Sequence, residues 1–116
     1  MDYQQFLHQV IEGGILGAEK DYTGEKLEGA KAGFELCRLM HPATLGLVLT
    51  AAEQDAQRAR DENPNHYWYW RCRAAEVEWV CNVVSAMLFN QGLPTIIPPT
   101  ARAVMRASEI LGVASE

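Results

Sequence analysis

The stretch from residue 65 to residue 90 constrains this chain more than any other. It holds neither glycine nor proline, and after Ala74 it is apolar on nearly every face: Val77, Trp79, Val80, Cys81, Val83, Val84, Ala86, Met87, Leu88 and Phe89. A helix that is hydrophobic all round must lie inside something. The stretch is too long for a strand and no turn residue interrupts it, so it predicts a long central helix. Asn63 or Asn65 is the expected cap and Gly92 the expected stop.

Four amphipathic segments predict the helices that surround it. In residues 2–20, Tyr3, Phe6, Leu7, Val10, Ile11, Ile15 and Ala18 recur at three- and four-residue steps, with Asp2 as N-cap and Gln5 at the third helical position. Gly13, Gly14 and Gly17 interrupt that stripe, each at a cost of about 1 kcal/mol against alanine. They imply a kink or the close approach of another backbone. A second helix follows Thr23 and turns Leu27, Ala30, Phe34, Cys37 and Met40 inward. Pro42 opens a third, whose inner stripe is Leu45, Val48, Leu49, Ala52, Ala56 and Ala59. Between Leu93 and Pro99 the prolines force an extended segment, and a fifth helix runs over residues 99–111. With no internal repeat and no linker, the expectation is one all-α domain, residues 1–116: a compact bundle of about five helices.

Composition narrows the functions. Apolar residues are 48% and charged residues 22% of the chain, as in ordinary soluble proteins. No apolar run is long enough to span a membrane and no leader pattern precedes the first helix, so a complete cytoplasmic chain is expected. The net charge of −5 sits wholly in the first part, with eleven acids and six bases up to residue 63 and four of each afterwards. Such a balance argues against direct binding to nucleic acid or anionic lipid and favours a partner with a basic face. Cys37, Cys72 and Cys81 contain no CxxC pair and read as buried thiols of a reducing compartment.

Motifs of catalysis are absent. His8, His41 and His66 are isolated, with no metal-binding spacing, and His41 before Pro42 reads as a helix cap. No glycine-rich phosphate loop or nucleophile elbow occurs. Neither metal nor cofactor is expected. The remaining catalytic candidates are Glu76 and Glu78, carboxylates set among apolar residues where a raised pKa would suit a general acid. Arg73 stands three residues before Glu76, a spacing that allows the two to pair on one face. The alternative to catalysis is that Glu76 and Glu78 tie the helix to arginines on its neighbours. Arg71, Glu78, Asn82 and Ser85 form a polar line, either a buried network or a face that meets water.

The densest feature is His66-Tyr67-Trp68-Tyr69-Trp70-Arg71-Cys72-Arg73. Successive residues on a helix point about 100° apart, so four aromatics cannot share one core. Trp68 aligns with Cys72 and Trp79, Trp70 with Ala74, Val77 and Cys81; Tyr67 and Tyr69 are left toward the surface beside Arg71 and Arg73. Tyr, Trp and Arg dominate binding hot spots. Tyr67, Tyr69, Arg71 and Arg73 are therefore the expected contact residues, with Glu53, Asp55, Asp61 and Glu62 as a second, acidic surface. Simple closure of the bundle's end by the aromatics remains the alternative.

The stretch Gly29-Ala30-Lys31-Ala32-Gly33-Phe34-Glu35, with Tyr67 to Arg71 and Glu76 to Leu88, resembles small helical proteins carried by bacteriophages and prophages, the anti-CRISPR inhibitors among them. The likeness is one of size and habit, with no shared motif, and it assigns no functional residue. It implies a non-enzymatic protein that occupies a surface of a host defence complex. The expected function is thus a protein-binding inhibitor or adaptor; a structural or regulatory homodimer and a small enzyme using Glu76 or Glu78 are the alternatives.

Overall fold

The computed structural model describes residues 1–62, 64–95 and 97–112. The capping box at Asp2 launches α1, Tyr3–Asp21: the Asp2 carboxylate accepts from the Gln5 N–H at 2.8 Å, and the Gln5 side chain accepts from the Asp2 N–H. Helix α2, Gly24–Leu36, begins after Thr23, whose side chain makes no capping bond. Two tight turns of 3-10 helix, Cys37–Leu39 and Pro42–Thr44, carry the chain into α3, Leu45–Glu62. Here His41 acts as the expected cap, its Nδ1 accepting from the Ala43 N–H at 3.2 Å. A third such turn, Pro64–His66, leads into α4, Tyr67–Asn90; α5 is Ala101–Leu111, capped by the Thr100 hydroxyl and closed by Gly112 in the left-handed region. No strand occurs among the described residues.

The expected caps of α4 need correction. Asn65 lies within the preceding turn and His66 takes the capping position without a side-chain bond, while Asn63 lies outside the described residues. The stop is as expected, with Gly92 at φ +72°.

Helix α4 is central. From Val80 to Leu88 every residue is buried, and α2, α3 and α5 pack along it while α1 closes the remaining side. Phe6, Leu7, Val10 and Ile11 of α1, Phe34 of α2, Leu45 of α3 and Ala103 and Ala107 of α5 meet its apolar face in one core. Ile97 of the extended segment packs against that core; Ile96 lies outside the described residues. Three residues expected inside are not, Trp68 at the other end of α4 among them. Phe89 is 63% exposed in the last turn of α4, and Trp79 is only half-buried.

Close backbone approach falls on glycines of α2, not of α1. A Cβ at Gly29 would strike the Tyr69 carbonyl, and one at Gly33 would come within 2.6 Å of the Arg73 carbonyl oxygen. The four-residue spacing puts both glycines on one face of α2, so α2 lies directly on the backbone of α4. In α1, Gly14 makes room for the Phe34 ring, Gly13 faces the tip of Arg106, and Gly17 borders open space.

Candidate functional site

The first turns of α4 lie between the first turns of α2, where Gly29 meets the Tyr69 backbone, and the last turns of α3, where Arg58, Ala59 and Glu62 border Trp70. One turn further in, Cys72 is buried; Trp68, aligned with it, is 48% exposed. The inward expectation for Trp68 fails: α2 runs alongside this turn, but it meets the indole with the Lys26 side chain rather than with apolar residues. Trp68 is instead sandwiched at the surface. The Tyr67 ring meets it edge-on at 4.9 Å, and the Lys26 ammonium stands 4.3 Å from its ring centre. Edge-to-face stacking and a cation over the indole hold the ring in one orientation without removing it from water. Beside it His66 Nδ1 lies 3.1 Å from the Glu25 carboxylate, and Tyr69 lines a shallow hollow with Glu25, Glu28 and Asn65.

The four expected contact residues do not share one surface. Tyr67 and Tyr69 are half-buried at the aromatic end. Arg71 is exposed but borders a separate groove with Glu78, Asn82, Thr100 and Arg102. Arg73 turns toward α3, where its Nη1 stands 3.9 Å from Asp55 and its guanidinium lies 5.1 Å from the Trp70 ring centre. The Arg73–Glu76 pair that the spacing allowed does not form: Arg73 is engaged across the α3–α4 seam while Glu76 faces α1 and α2. Of the acidic surface, Glu53, Asp61 and Glu62 are exposed, whereas Asp55 is shared between Arg73 and Arg58.

Glu76 and Glu78 have different surroundings. Glu78 is exposed, and its backbone carbonyl accepts from the buried Asn82 amide at 2.9 Å. The polar line is therefore partly a groove wall and partly internal, ending at Ser85, whose buried hydroxyl has no partner among the described residues. Glu76 is half-buried beside a cleft of 370 Å³ lined by residues of α1, Tyr22, Phe34, Trp79 and Arg102. Burial alone pushes its carboxyl up to about 7, with no cation or hydrogen bond drawing it back. Arg102 of α5 stands 5.7 Å from the Trp79 ring, which lies at the surface between this cleft and the Arg71 groove and lines both.

Sequence reasoning missed Trp68, Lys26, Tyr22 and Arg102. Lys26 and Arg102 each reach an aromatic ring on another helix, and no spacing within one segment reveals such a pair. The thiols are not poised for chemistry: burial pushes Cys37 and Cys81 up to about 12, and Cys81 rests against Met40 and the Leu45 carbonyl. Among the described residues no three metal-binding side chains stand together, and no helix is long and apolar enough to cross a membrane. Comparison with protein families, with characterised proteins and with solved structures finds no match.

Proposed function

We propose that the protein works by stoichiometric binding to another protein, as an inhibitor or adaptor, through the aromatic end of α4. The observation that carries this reading is Trp68: a large aromatic, 48% exposed, on a rigid helix, held by Tyr67 and Lys26. Leaving an indole in water gains nothing for folding, whereas an ordered aromatic loses little conformational entropy when a partner covers it. Tyr67, Tyr69 and Lys26 extend the contact area; the exposed Glu53, Asp61 and Glu62 on α3 favour a partner with a basic rim. A protein surface that ordinarily meets nucleic acid has this chemistry, in keeping with the resemblance to phage-borne inhibitors of CRISPR complexes.

A photo-crosslinking residue at Tyr67 tests the reading in bacterial cells, with the same residue at Gln9 on α1 as control. A discrete adduct to one protein from position 67 and none from position 9 is expected. Equal labelling from both positions, or none from either, contradicts it. Adducts only between two copies of this chain would establish the homodimer instead.

A further inference from the structure

We propose that the cleft between α1, α4 and α5 binds a guanidinium or primary ammonium group, with Glu76 as its counter-charge and Tyr22 and Trp79 as its aromatic walls. Three features of the cleft converge on a cation. Glu76 and Asp21 both border it, and Glu76 has no counter-ion among the described residues. Tyr22, Phe34 and Trp79 supply three rings, and a cation is attracted to ring faces in partly desolvated sites. Among the described residues its one bordering cation, Arg102, already stands over Trp79, exposed to solvent.

Space for the ligand comes from small residues. Gly17 and Ala18 line the α1 wall, and a Cβ built on Gly17 meets nothing within 4 Å, while the space beside Gly14 is taken by the Phe34 ring. The volume of 370 Å³ suits an arginine-sized group. The groups facing Glu76 are Asp21 and Tyr22 at the end of α1, Cys37 after α2, Cys72 on α4 and Arg102 on α5. Burial and the neighbouring carboxylates keep the phenol and thiols neutral, so Glu76 is the group in the cleft that titrates near neutrality. Cation binding then expels the Glu76 proton, and affinity falls about tenfold per pH unit below 7. This site lies apart from Trp68 and stands or falls independently of the protein-binding reading.

The test is calorimetric titration of the full chain with agmatine and with an end-blocked Gly-Gly-Arg-Gly-Gly peptide, at pH 8 and pH 6, with succinate as the anionic control. Saturable binding of at least one cation at pH 8 is expected, at least about fivefold weaker at pH 6, and lost in Glu76→Gln and in Gly17→Phe. Binding of agmatine alone identifies a free small molecule as the source; binding of the peptide as well identifies an arginine side chain of a partner. Melting curves confirm that both variants fold, and Gly17→Phe keeps the test valid if Glu76→Gln does not. No saturable binding of either cation at pH 8, unchanged affinity in both variants, or equal binding of succinate overturns the proposal.

Discussion

Gly33 and Arg73 touch through their backbones: a Cβ at Gly33 would lie 2.6 Å from the Arg73 carbonyl oxygen. With Gly29 against Tyr69 one turn away, this contact fixes how α2 lies on α4 and so where the aromatic end projects. Gly33→Ala forces the helices apart and is expected to cost about 1–3 kcal/mol, the usual cost of overpacking. Gly17→Ala is expected to stabilise by about 0.5–1 kcal/mol, since its Cβ meets only open space and alanine favours the helix. Denaturant midpoints of the two variants should move in opposite directions; movement in the same direction would refute the packing described.

Phe34 and Trp79 separate core from cleft. Phe34 is fully buried among α1, α2 and α4, and Phe34→Ala is expected to cost about 3–5 kcal/mol. Trp79, half-buried and capped by Arg102, is expected to cost clearly less on replacement by alanine. Equal losses in urea unfolding would place Trp79 in the core, where its sequence position first suggested it.

The central helix and its four partners were legible because periodicity reports burial. The runs around Val77–Leu88 and Phe6–Ile11 could be satisfied in no other way. The caps at Asp2 and His41 were legible too, being local chemistry. Trp68 and Phe89 were misplaced because which face of α4 its neighbours cover, and with which side chains, depends on how the helices cross. No spacing within one segment shows that. Trp68 meets the Lys26 ammonium of α2 instead of an apolar partner. The Arg73–Glu76 pair looked sound within one helix, yet Asp55 on α3 won Arg73. Which glycine meets a backbone was also illegible, because it depends on the crossing of α2 and α4.

Glu76 gives a pH signature. Its carboxyl is raised from 4.5 to about 7 by burial. Unfolded chains therefore ionise first as pH rises, and the native state binds the extra proton between these values. Glu76's contribution is fully present below about 4.5, declines as pH rises, and is gone above about 7. Because the group retains contact with water, the loss is on the order of 2 kcal/mol. Glu76→Gln removes the ionisation, so the variant should match or trail the wild type at pH 4.5 and gain on it by pH 8. Parallel stability curves for the two proteins would show that Glu76 is not desolvated.

The three thiols provide a probe of the core. Cys37, Cys72 and Cys81 are buried and held neutral by burial, so none should react with a thiol reagent at pH 8 in the native protein. All three should react together on unfolding. Rapid modification of one before the others would mark a locally open segment beside it.

The central claim is that the aromatic end of α4 is a binding surface rather than a lid on the core. The most direct measurement is the affinity of Trp68→Ala for the protein that crosslinks at position 67, with the melting temperature measured alongside. Loss of at least about 2 kcal/mol of binding, with a near-normal melt, is the expected result for an exposed aromatic at an interface. Unchanged affinity, or a binding loss that only follows unfolding of the variant, would contradict the account.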